Sequence, residues 1–176
     1  MKQPMKNTII IQRIMRDDFD NEFLIAYARV VIAFGRLENL VKLAIKNLAV
    51  SMKISADFTG GIAEAERQNN FSAMCDYMVK LHGDKHGENN EGDELKRWVE
   101  EAKKFAEVRN KILHGSLTIE DDGTPIVLHT KLDRKNKAVE FTEATITKDA
   151  LKHMHKKLEK LWKGLNVVRQ GWTKTP

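Results

Sequence analysis

The sequence predicts a mainly α-helical protein, a four-helix bundle with a small β-hairpin or meander inserted before the last helix. Three observations carry this. Apolar residues recur at three–four spacing along most of the chain, the pattern of helices with one buried face. After Gly115 that period gives way to β-branched alternation, and at Thr147 it returns. The chain has 176 residues, enough for one domain to bury a core without staples.

Residues 1–16 read as a weakly anchored leader, and 17–176 as a single domain. From about residue 18 to 50, Phe23, Ala26, Val30, Ala33, Leu37, Leu40, Val41, Ala44 and Leu48 make a buried stripe. Asp17, Asp18 and Asp20 suit the start of that helix, where the dipole favours acids. The stretch 24–34 is apolar nearly all round, which predicts a central helix contacted on several sides. Residues 51–70 read as a connection broken by Gly60-Gly61, with a short helical piece around 62–67. Phe71, Met74, Met78 and Leu81 define a second helix, and "HGDKHGENNEG" (82–92) reads as a mobile polar loop. The third helix starts near Asp93, aligns Leu95, Trp98, Val99, Ala102, Phe105 and Ala106, and ends at His114-Gly115. Glycine there suggests a left-handed cap. The β insertion spans about 116–146, with turns at Asp122-Gly123 and around 133–136. Thr147 then caps a last helix lined by Leu151, Met154, Leu158, Leu161, Trp162, Leu165 and Val168.

Composition excludes several classes. Hydrophobic content of 41% with 31% charged residues is that of a folded globular chain rather than a disordered one. Cys75 is the lone cysteine, so no intrachain disulfide forms and a reducing, cytoplasmic setting is expected. The apolar run from Thr8 to Ile11 is too short for a signal peptide, and no membrane span is expected. No Walker loop, dinucleotide-type glycine pattern or Gly-x-Ser-x-Gly elbow occurs. No metal or other cofactor is expected. His82 and His86 are four apart, but Gly83 and the loop composition argue against a helix that aligns them, and His153 and His155 diverge on one. Cys75 reads as packing, not nucleophile.

Charge is uneven. From 148 to the end there are eight Lys or Arg against Asp149 and Glu159, a surplus of six, while the whole chain carries +5. Lys148, Lys152, Lys156 and Lys160 recur every four residues. One reading is an RNA-binding stripe; the plainer one is a solvated helix face.

"EVRNKILHG" (107–115) is the stretch that poses a chemical question. Following the stripe from Leu95 through Ala102 and Phe105, the next inward position is Arg109. A buried guanidinium needs an anion, and Glu38 of the first helix offers a structural salt bridge. His114, in the last turn, suits the carbonyl end of the helix without further purpose. A functional alternative stands beside these. Asn110 and His114 share a face roughly 6 Å apart, and Arg109 lies about 100° from one and about 140° from the other. Arginine, amide and imidazole at one helix end suit phosphoryl chemistry.

Arg109-Asn110, three residues and His114, at a helix end, resemble the motif of the HEPN superfamily: arginine, often a polar residue, and a histidine after a gap of four to six. "AEVRNKILHG", the long first helix with "FGRLENLVKLAIKNL" and the basic last helix resemble its members too. The resemblance implies an HEPN-like bundle and metal-independent RNA cleavage by a homodimer, of the toxin or defence type, with an antitoxin or regulatory protein as a possible partner. It assigns His114 to acid–base work, Arg109 to phosphate charge and Asn110 to orientation. Arg36 and Glu38 are supporting candidates, and the four lysines would contact RNA. Some members keep the fold without cleaving, so a non-catalytic nucleotide-, RNA- or protein-binding dimerisation module is the alternative.

Overall fold

A computed structural model describes residues 18–172 except 56 and 134–137. The leader expected over 1–16, and most of the turn expected around 133–136, lie outside the described residues. The elements run α1 (Asn21–Ser51), α2 (Phe58–Glu66), α3 (Phe71–His86), α4 (Asn90–His114), β1 (Ser116–Ile119), β2 (Pro125–Asp133), β3 (Ala138–Thr145) and α5 (Lys148–Trp172). The protein is mainly helical, with one small antiparallel meander ordered β1-β2-β3.

Side chains set where each helix begins. Asp20, Asp57, Asn70, Asn89 and Thr147 accept from the amides of Glu22, Gly60, Ala73, Gly92 and Ala150 at 2.8 to 3.1 Å. Each such cap is worth about 1 kcal/mol. Asp57 explains a difference from expectation: its cap starts α2 at Phe58, ahead of the glycine pair that reads as a break.

α1 is the axis of the core, packed along α5 on one side and against α2 and α3 on another. Leu37, Ile45 and Leu48 meet a shell that includes Met78, Leu151, Leu158 and Leu165, all essentially inaccessible. Trp98 ties α4 to α5 by donating its indole N–H to the Leu161 carbonyl at 2.9 Å. The all-round contact expected for 24–34 is not met. Leu24, Ile25 and Ile32 face outward, because α5, α2 and α3 cover only the other faces of α1.

The mobile loop expected at 82–92 is mostly helix. α3 continues to His86 and α4 starts at Asn90, leaving 87–89 as the connection. An internal Gly83 costs about 1 kcal/mol, which burial of Leu81 and His82 offsets. Gly87, at φ 70, makes the turn instead.

The sheet hangs from the end of α4. Val127 lies opposite Leu117 on β1 and Ala144 on β3. Gly123, at φ 86, and the Asp122 carboxylate accepting from the Thr124 amide at 2.9 Å make the first turn.

Candidate active site at the end of α4

The last turns of α4 carry the arginine–histidine motif. Ile112 anchors this end in the core, and Gly115 fixes where the helix stops, although not as a left-handed cap. Its φ is −87 and its backbone is extended. A side chain there would run into Val127 Cγ1 and sit 2.8 Å from the Lys111 carbonyl oxygen and 3.0 Å from that of Leu128. Glycine is required by close approach of β2, so the sheet holds the motif end in place.

Arg109 is half-buried, with its guanidinium carbon 5.0 Å from the ring centroid of Phe34 on α1. Phe34 is itself braced by Phe71 at 5.0 Å. Nη1 of Arg109 donates to Oδ1 of Asn110 at 3.0 Å. Nε is buried and meets no acceptor among the described residues. The salt bridge to Glu38 does not form: Glu38 pairs with Lys42 at 3.8 Å, and no described carboxylate pairs with Arg109. The motif therefore presents a cation fixed by an aromatic face and an amide, with no carboxylate paired to it among the described residues.

Asn110 and His114 are exposed. Among the described residues nothing hydrogen-bonds to His114. Arg36 is engaged elsewhere, 3.0 Å from the Glu159 carboxylate and stacked on Trp162 of α5. Neither Arg36 nor Glu38 is among the residues that hold the motif.

The basic stripe divides. Lys148 Nζ is clamped by Asp20 at 2.9 Å and Glu22 at 2.8 Å. Those two hydrogen bonds raise its pKa and hold both carboxyls below their usual range. Lys148 thus ties α5 to the start of α1. Lys152 lies 3.9 Å from Asp149. Lys156 and Lys160 carry no ion pair among the described residues. Arg29, which the stripe pattern did not single out, joins Lys152, His155 and Lys156 around an α1–α5 groove of about 410 Å³. The signal for it was available only across two helices.

Two other features bear on chemistry. The pair His82 and His86, aligned after all by the longer α3, has ring centroids 4.8 Å apart. His82 is 1% exposed, packs its ring at a tilt against Trp172 with centroids 5.4 Å apart, and lies 4.0 Å from Glu91. Burial, then the neighbouring His86, lowers its pKa. Among the described residues no group of three His, Cys, Asp or Glu is arranged to hold a metal ion. Cys75 is buried, and burial pushes its thiol up to about 12. A thiol so protonated is a packing group.

Among the described residues, no helix is long and apolar enough to cross a membrane. Comparison with protein-family models, with curated proteins and with solved structures returns no match.

Proposed function

We propose that this chain is a metal-independent endoribonuclease of the HEPN type, acting as a cytoplasmic toxin or defence effector. The observation that carries the reading is Arg109: a half-buried guanidinium held on Phe34 and Asn110 and met by no carboxylate among the described residues. Such a charge is expensive unless a ligand anion completes it, and a phosphodiester supplies one through its pair of non-bridging oxygens, which the planar guanidinium fork can meet two at a time.

His114, one turn beyond Asn110 and exposed, takes the proton of the ribose 2′-hydroxyl adjacent to the scissile phosphate. The 2′-oxygen bonds to phosphorus, the bond from phosphorus to the 5′-oxygen breaks, and the departing oxygen is protonated. The products are a 2′,3′-cyclic phosphate and a 5′-hydroxyl. Arg109 holds the charge gathering on the phosphate oxygens. Lys156 and Lys160 draw RNA toward the protein by releasing its counterions. The active form is a homodimer, and an antitoxin or regulatory protein restrains it.

A second reading is a non-catalytic RNA-, nucleotide- or protein-binding module. The His114 imidazole, with no hydrogen-bond partner among the described residues, favours it, because acid–base histidines are commonly oriented by a third group. Incubating purified protein with varied RNAs, beside the His114→Ala variant, separates the two. Cleavage lost in the variant supports the first reading; binding without cleavage supports the second.

A further inference from the structure

The outward face of α1 carries an apolar strip, with the exposed Arg29 and Arg36 along one flank of it. Between Asn21 and the ion-paired Glu38 it carries Leu24, Ala28, Val31 and Gly35, spaced by four, three and four residues. That spacing is the repeat of a helix-pairing seam. Leu24 and the flanking Ile25 and Ile32 are 42%, 53% and 62% exposed. Contiguous exposed apolar surface of this kind marks an interface.

We infer that this seam binds the same helix of a second copy, antiparallel, about a dyad between Ala28 and Val31. The seam is complementary to itself in that register. Leu24 of one copy meets Gly35 of the other, and Ala28 meets Val31, so a larger side chain faces a smaller one in every apolar layer. At both ends Asn21 meets Glu38, polar against polar.

The dyad also places the motifs. Phe34 lies about 100° to one side of the seam and Arg36 about 100° to the other. A two-fold axis normal to the paired helices keeps each flank on the same side in both copies. Both Phe34 rings, each carrying its Arg109, therefore lie on one face of the dimer, flanking the dyad. Joining the two motifs in one RNA cleft rests on the ribonuclease reading; the seam does not.

Light scattering on the full chain across the micromolar range tests the pairing. The unaltered protein is expected to be a dimer. Ala28→Glu and Ile32→Glu change exposed positions, so circular dichroism should stay native while self-association weakens about 100-fold or more. Val167→Glu, on exposed α5 surface, should leave it unchanged. A monomeric unaltered protein, or a dimer indifferent to both glutamates, overturns the inference. A chain lacking residues 1–16 is compared as well. If the unaltered protein is monomeric and this truncation makes it self-associate, the leader is the occupant and the second copy is not. RNA cleavage is measured in parallel. Cleavage by a monomer sinks the seam and the dimeric active form while leaving the chemistry of the ribonuclease reading in place, and a seam dimer that never cleaves sinks the ribonuclease reading alone.

Discussion

A half-buried guanidinium packed on an aromatic ring, with no carboxylate partner among the described residues, needs a reason. Arg109 allows structural and functional roles to be separated. Were it a structural ion pair, Arg109→Met would destabilise by about 3–5 kcal/mol through the abandoned partner. With no carboxylate partner among the described residues, methionine should keep the contact with Phe34 and leave urea stability within about 1 kcal/mol, while RNA cleavage disappears. Arg109→Lys should fail in cleavage too, since an ammonium lacks the planar fork of donors. The motif was legible from sequence by spacing alone. Its platform was not, because Phe34 lies on another helix and reads as an ordinary core residue. His82 gives a second residue-scale test. Its pKa is lowered below the ordinary 6.5, so between the two values the unfolded chain holds a proton that the folded chain lacks. That contribution is complete above the ordinary value and is lost as pH falls below it toward the folded pKa. Thermal midpoints should drop from pH 7.5 to about 5.5. The drop should shrink in His82→Phe, with His86, Lys85 and Glu91 still in place around the site. An identical slope in the variant would assign the effect to other groups.

Among the elements, the end of α4 depends on the sheet that follows it. Gly115→Ala forces a methyl against Val127 and two carbonyl oxygens, and should cost about 1–3 kcal/mol in urea unfolding. A neutral outcome would mean that β2 yields without resistance. The switch of period marked this boundary in the sequence, but the reason for the glycine did not show, since a close approach from β2 is a tertiary fact. The α3–α4 connection was misread for a related reason. Its polar, glycine-rich composition outweighed the buried Leu81 and His82, which become informative only once α3 is packed. On α5, four lysines of equal spacing are unequal in structure. Lys156→Ala with Lys160→Ala should weaken RNA binding and flatten its dependence on salt. Lys148→Ala should leave binding nearly intact, because Asp20 and Glu22 already hold that charge. Equal losses from both changes would contradict the division.

At the scale of the whole molecule, the helical plan and the position of the β insertion were readable because long periodic segments dominate the chain. The apolar content of α1 was readable as well, and Leu24, Ile25 and Ile32 stay exposed in a single copy, which is the basis of the pairing proposed above. What the molecule does turns on whether two ends of α4 make a cleft that cuts RNA. The most direct measurement pairs an all-ribose oligonucleotide with one carrying a single deoxyribose at the cut site, both incubated with the purified protein in EDTA. Cleavage of the first only, leaving a 2′,3′-cyclic phosphate and falling about 10²–10⁴-fold in His114→Ala, is the expected result. Equal cutting of both oligonucleotides, or cutting unaffected by loss of His114, would contradict it.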